Sequence, residues 1–156
     1  MILKKWSDIP DNIKNSKTHE YYKKLNTKKN KLLIKRFLDI LFSLILLILL
    51  LPIFMVLAIC IKIDSNGPIF YRQERITTYG KKFRIFKFRT MVQNADKIGS
   101  LITVNNDSRI TRVGKIIRKL RLDELPQLIN ILIGDMSFVG TRPEVEKYVD
   151  KYTDEM

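Results

Sequence analysis

The feature that most limits this chain is residues 40–61, 22 residues without a charge, with Pro52 near the middle. As a straight helix the run would be about 33 Å long, enough for the roughly 30 Å hydrocarbon core of a bilayer. An uncharged run of that length does not suit the buried helix of a small soluble core. Proline inside a helix removes a backbone hydrogen bond and kinks it. Both flanks of the run are basic, with Lys28, Lys29, Lys31, Lys35 and Arg36 before it and Lys62, Arg72, Arg75, Lys81, Lys82, Arg84, Lys87 and Arg89 after it. Lys and Arg favour the cytoplasmic side of a membrane. A single span strands one basic flank outside, whereas a helix that enters, bends at Pro52 and returns keeps both inside. The two arms, 40–51 and 53–61, would reach about 18 Å and 13 Å, so neither crosses alone. Charge favours the re-entrant form; the spanning form stays open. In lipid, the carbonyl near residue 48 that Pro52 leaves free needs an internal partner, and Ser43 is too far away to be an obvious one.

A chain of 156 residues has room for one modest domain. The net charge of +13 suits an anionic partner. Cys60 is the only cysteine and His19 the only histidine. This excludes an intramolecular disulfide and a four-ligand Cys/His zinc site, and it leaves no basis for a Ser-His-Asp or Cys-His mechanism. No Gly-rich phosphate loop of either common pattern is present. Catalysis, if there is any, falls to carboxylates and arginines. The apolar run begins too late and is too long for a secretory signal.

Three regions follow: a basic N-terminal arm over 1–34, the membrane helix over 35–64, and a cytoplasmic domain over 65–156. The arm reads as loosely ordered or short-helical. Asp64 to Pro68 is a turn cluster. Residues 69–71 and 82–89 read as short strands, with Thr77, Thr78, Tyr79 and Gly80 as the loop between them. In the second strand aromatic and cationic residues alternate, which fits a phosphate- or headgroup-facing surface and equally a half-buried strand with a solvated face. Residues 92–107 read as a polar loop with one short helix. Residues 108–120 have helical period, with Val113, Ile116, Ile117 and Leu120 on one face and Gly114 permitting close packing. Gly134 is a natural stop for the next helix, and 144–156 is a charged, helix-compatible tail. The fold class is α+β, mostly α-helical, with a membrane helix bent at Pro52 and a small interfacial domain with short strands. No nucleic-acid motif is present, so nucleic acid is not an expected partner.

The chemistry concentrates at Asp123 and Glu124. Lys115, Arg118, Lys119 and Arg121 precede them, and Leu125, Leu128, Ile129 and Leu132 follow at helical spacing. Asp123 stands where an N-cap is expected, and Pro126 fits only a first helical turn. A helix N-terminus suits anions. The pair is therefore either a helix cap with a solvated neighbour or a site of phosphate chemistry, and residues 118–128 do not choose between them.

The wider order of motifs is more specific. The basic–apolar–Pro–apolar–basic segment is followed by Lys87-Phe88-Arg89-Thr90-Met91 and Asn106-Asp107-Ser108-Arg109-Ile110-Thr111. Leu122-Asp123-Glu124-Leu125-Pro126-Gln127-Leu128 and Gly134-Asp135-Met136-Ser137-Phe138-Val139-Gly140-Thr141-Arg142-Pro143 complete it. From about Lys35 onward this resembles the bacterial sugar transferase family, monotopic polyprenyl-phosphate phosphoglycosyl transferases that start capsule, exopolysaccharide and O-antigen (lipopolysaccharide) assembly. The resemblance implies attack by Asp123 on the sugar-proximal phosphate of a nucleotide diphosphate sugar, with UDP as the expected nucleotide. A covalent aspartyl-phosphosugar then passes its phosphosugar to polyprenyl phosphate. It implies Glu124 as the partner that binds Mg2+, Arg118 and Arg142 as phosphate contacts, and Lys87 and Arg89 as weaker candidates. It also implies a re-entrant membrane helix broken at Pro52 and a catalytic part on the cytoplasmic face of the bacterial inner membrane. Two departures stand out. Leu51 precedes the proline where many members have Ser. The chain ends at Met156, where the family's domain normally continues with a Pro-Gly segment and further arginines, so a C-terminally truncated copy is expected. The alternative is a non-catalytic membrane-bound relative that binds lipid phosphate or a partner subunit. The sugar, the lipid length and the oligomeric state are not encoded legibly.

Overall fold

A computed structural model describes residues 3–95 and 107–146. The element order is α1 (Ser16–Asn26), α2 (Lys29–Leu49), α3 (Leu51–Asp64), β1 (Phe70–Ile76), β2 (Lys82–Phe88), α4 (Arg112–Lys119) and α5 (Gln127–Ile133), with short 3-10 turns between some of them. This is a mostly helical α+β fold with one two-stranded antiparallel sheet. The short helix expected within 92–107 and the tail beyond Glu146 lie largely outside the described residues.

The N-terminal arm is more ordered than its composition suggests. Asn15 caps α1 through a reciprocal pair, accepting from the Thr18 N–H at 2.7 Å while Thr18 Oγ1 accepts from the Asn15 N–H at 3.0 Å. Trp6 stacks on His19 with ring centroids 4.6 Å apart. The long helix begins at Lys29, six residues ahead of the boundary expected at 35, because nothing in 29–34 breaks a helix.

α2 and α3 are bent by 60° at Leu50. Pro52 falls in the first turn of α3, where its missing N–H costs no helical bond. At the bend the Leu50 N–H donates to Leu46 O at 2.9 Å and the Phe54 N–H donates to Leu50 O at 2.9 Å, so the last turn of α2 and the first of α3 are each closed by their own backbone. Ser43 instead donates to Ile40 O at 3.0 Å. Among the described residues no single helix is long and apolar enough to cross a membrane; only the bent pair passes that test together.

The burial of α2 is inside out. Asp39 and Ser43 are buried, while Phe37, Phe42, Ile48 and Leu49 are exposed. The polar residues face the domain, because Arg36 donates to Ile131 O at 2.6 Å and Leu132 O at 2.8 Å, two carbonyls in the last turn of α5. Asp39 accepts from Ser137 Oγ at 2.7 Å and from the Phe138 N–H at 3.3 Å, and pairs with Lys35 at 3.3 Å.

The far end of α3 is tied to the same body. Arg89 donates to Ser65 O at 2.6 Å and Asn66 O at 2.9 Å, closing the helix terminus. Asp64 accepts from the Val113 N–H at 2.9 Å and helps to cap α4. Ile61, Phe88 and Ile117 form the small core, with Phe54, Leu57, Val113 and Leu125 packed around it. Gly114 is required there, since a Cβ would stand 2.1 Å from Thr90 O.

Two expected faces shift. In α4 the buried side is Gly114 and Ile117, while Ile116 and Leu120 are exposed. In α5 the buried set is Leu128, Asn130 and Ile131. Asn130 is fully buried because its amide serves the free edge of β2, accepting from the Phe86 N–H at 2.8 Å and donating to Arg84 O at 3.1 Å. β1 is longer than expected, pairing Phe70 with Phe88 through to Ile76 with Lys82.

Candidate active site

Arg121 ends α4 in the left-handed region (φ 56°) and throws the chain into a 3-10 turn, Leu122–Glu124. This turn carries both acidic residues. It corrects the capping expectation: the N-cap position of α5 is Pro126, with no side-chain cap, and Asp123 lies a turn earlier. The Asp123 carboxylate is thereby left for the cavity.

Period-two alternation in β2 places Lys87 opposite Tyr71, and its ammonium stands 3.0 Å from Glu124 Oε1 and 4.0 Å from Asp123 Oδ2. Arg142, from the loop after α5, reaches the same Glu124 oxygen at 2.9 Å. Arg118 projects from α4 and donates to Thr90 Oγ1 at 2.8 Å. Asp123, Lys87, Arg118 and Arg89 all line one cavity of about 410 Å3. Of the residues singled out in the sequence, the fold therefore gathers Asp123, Glu124, Lys87, Arg118 and Arg142. Arg89 is placed differently: it is 6% exposed, its two terminal nitrogens are committed to the carbonyls after α3, and its Nε is buried without a partner, so its described contacts are structural. Pro52 lies at the helix bend, away from this cavity.

The two carboxylates are driven apart electrostatically. Burial raises the Asp123 carboxyl above its ordinary value; the Glu124 charge adds to this and Lys87 offsets part of it. Burial acts on Glu124 in the same direction, but the Lys87 hydrogen bond and the Lys87, Arg142 and Arg121 charges outweigh it and hold Glu124 low. Glu124 is the settled anion and Asp123 the more basic one. Environments that push two neighbouring carboxylates in opposite directions suit them to different roles.

Among the described residues no cluster of three or more His, Cys, Asp or Glu could hold a metal. Asp123 and Glu124 are two carboxylates, a number compatible with Mg2+, which commonly binds through one or two carboxylates with substrate phosphates and water supplying the rest.

Little in the local pattern pointed to Asp39, Ser137, Arg36 and Asn130. The available signal was one acid, Asp39, four residues after Lys35 and directly before an uncharged run. Its partner Ser137 is 98 residues away, a pairing that no local pattern encodes.

An acidic pair ringed by Lys and Arg thus sits on a small domain hung from a bent apolar helix pair. The chain belongs to the bacterial sugar transferase family, whose model matches residues 30–156. It is 46% identical over 123 residues to the UDP-N-acetylgalactosamine-undecaprenyl-phosphate N-acetylgalactosaminephosphotransferase of Aeromonas hydrophila, covering 79% of this chain and 29% of that protein. It is 41% identical over 121 residues to the UDP-glucose:undecaprenyl-phosphate glucose-1-phosphate transferase of Escherichia coli, covering 77% and 26%. It is 46% identical over 112 residues to the exopolysaccharide production protein PSS of Rhizobium leguminosarum, covering 71% and 56%. The chain thus spans between about a quarter and a little over half of the length of these relatives.

Proposed function

We propose that this chain transfers a phosphosugar from a nucleotide diphosphate sugar to polyprenyl phosphate through Asp123, in the initiation of exopolysaccharide or related glycan assembly. The observation that carries this reading is the geometry of the dyad: a half-buried carboxylate of raised basicity in a cavity, beside a second carboxylate neutralised by Lys87 and Arg142. An Asp123 oxygen attacks the sugar-proximal phosphorus, the P–O bond to the bridging oxygen breaks, and nucleoside monophosphate leaves with that oxygen. An oxygen of polyprenyl phosphate then attacks the same phosphorus and the Asp123 carboxylate is released. Splitting the transfer into two displacements lets one cavity serve a soluble donor and a lipid acceptor in turn. Glu124, with Asp123 and the substrate diphosphate, would hold Mg2+, which when bound supplies charge neutralisation at the phosphates. Lys87 and Arg118 screen the approach of one anion to another, and Arg142 holds Glu124 in place.

The bent helix pair supports a re-entrant membrane anchor with the domain on the cytoplasmic face. Arg36 near the start of α2 and Asp64 at the end of α3 both bond to the same small domain. A crossing would have to carry these two ends to opposite sides. The exposed apolar residues, including Phe42, Leu49, Met55 and Ile59, lie on the outer surfaces of the two arms, where lipid would cover them.

Release of nucleoside monophosphate from a panel of nucleotide diphosphate sugars, with Mg2+ and polyprenyl phosphate, tests the reaction. Release by the wild-type chain and none by Asp123→Asn is expected; no release by either would overturn the catalytic reading in favour of a binding-only relative. Leu33→Cys and Phe70→Cys, each in a Cys60→Ala background, should label from the same side of sealed vesicles.

A further inference from the structure

Five cations line the Asp123 cavity, and four have donors or charge committed to groups already described or close by. Lys87 pairs with Glu124, Arg89 closes the end of α3, Arg118 donates to Thr90, and Arg109 forms a two-point pair with Asp107 at 2.6 and 2.8 Å. Arg75 shares two features with Arg89: neither forms an ion pair within 4.0 Å among the described residues, and each has its Nε buried without a hydrogen-bond partner. The two differ in their other donors. Arg89 gives both terminal nitrogens to Ser65 and Asn66, whereas the one hydrogen bond of Arg75 among the described residues runs from Nη2 to the neutral Gln73 Oε1 at 2.8 Å. Burial works against its charge, the like charge of Arg142 adds to that, and Glu144, Tyr71 and Glu124 offset only part.

A guanidinium held in a cavity wall with no directly paired counter-charge is costly unless something anionic meets it. Strand register says where that anion would sit. Tyr71, Gln73 and Arg75 alternate onto one face of β1, and Tyr71 pairs with Lys87. Lys87 and Arg75 therefore stand on the same sheet face, one at the dyad and one farther along the strand. Two cations so spaced suit an anion with two charged groups, and a planar guanidinium offers paired donors to phosphate oxygens.

We infer that Arg75 is a second phosphate contact of the Asp123 cavity, aimed by Gln73, for the charged group of the ligand farther from the nucleophile. This rests on reading the cavity as a phosphoryl-transfer site. The distal phosphate of a nucleotide diphosphate sugar and the phosphate of the lipid acceptor share this chemistry.

The test is calorimetric binding of inorganic pyrophosphate to the full chain in detergent, with melting temperature as the control for folding. Arg75→Gln should weaken binding at least tenfold, and Arg75→Lys should recover part of the loss. Arg72→Gln removes the same charge from the exposed neighbouring position, where Arg72 lies over the Phe86 ring, and should stay within twofold of wild type. Binding by Arg75→Gln within twofold of wild type, or equal weakening by Arg72→Gln, would overturn the inference. If Arg75→Gln fails to fold, Gln73→Leu is read instead, with at least threefold weaker binding expected and unchanged binding overturning it. In turnover, a raised KM for the nucleotide sugar or for polyprenyl phosphate supports the inference and identifies which phosphate Arg75 meets; no change in either overturns it. If the wild-type chain binds pyrophosphate through Arg75 but releases no nucleoside monophosphate, the proposed reaction falls and the anion site stands.

Discussion

Asp39 and Asp123 are two carboxylates in one small protein with opposite surroundings. Asp39 receives the Ser137 hydroxyl, the Phe138 N–H and the Lys35 ammonium, and it is 5% exposed. Asp123 has its nearest described cation 4.0 Å away, shares that cation with Glu124, and opens onto a cavity. The first carboxylate is satisfied and fastens the long helix to the loop that bears Arg142. The second is desolvated without full compensation, which is the condition of a group kept for reaction. Satisfaction by neighbours, rather than burial alone, separates the structural acid from the one proposed to react.

Exchanging the fates of the two residues gives the sharpest test. Asp123→Asn should reduce nucleoside monophosphate release by about 10³-fold or more, equivalent to about 4 kcal/mol of barrier, while leaving the melting temperature close to wild type. Asp39→Ala should do the reverse in urea titration, with about 3 kcal/mol of stability lost because Lys35 and two other donors lose their acceptor. If Asp39→Ala melts like wild type but is inactive, the contrast between the two acids fails.

A smaller effect tests the packing that supports the dyad. Gly114→Ala must push α4 away from Thr90 O and should cost about 2 kcal/mol, with activity reduced because Arg118 and the 3-10 turn move with the helix. The smallest effect is in the pH profile. Asp123 acts as a carboxylate, so activity falls on acidification through its raised pKa. Glu124→Gln removes a like charge and should move the acid limb of the residual activity to lower pH. Lys87→Gln removes a stabilising cation and should move it to higher pH. Shifts in the same direction would break the electrostatic account of the dyad.

Much of the fold was legible locally. The proline break, the turn at 64–68, the stop at Gly134 and the close packing at Gly114 are backbone or steric requirements, and single residues announce them. The second strand was legible for the same reason. The burial of Asn130 and the exposure of Ile116 and Leu120 were not, because periodicity marks a face without saying what it packs against. Asn130 is buried because a strand edge needed a partner, and that edge comes from residues 84–86.

The site divides in the same way. Sequence singled out Asp123, Glu124, Lys87, Arg118 and Arg142 because carboxylates and cations in that order carry a chemical meaning and a family resemblance. It grouped Arg89 with them and counted Arg75 only among the basic flank. Tertiary structure turned Arg89 toward the end of α3 and left Arg75 facing the cavity, since strand register and helix termini decide where a charge is spent.

The sequence by itself determined that an uncharged helical segment is kinked or broken at Pro52 and that any catalysis must rest on acids and arginines. These follow from covalent geometry and composition. Only the tertiary structure decided that both ends of the broken helix meet one domain, and that of two desolvated aspartates one is satisfied and the other is not. Those outcomes depend on contacts between residues far apart in the chain, such as Asp39 with Ser137 and Asp64 with Val113, whose cost and gain exist only once the chain has folded.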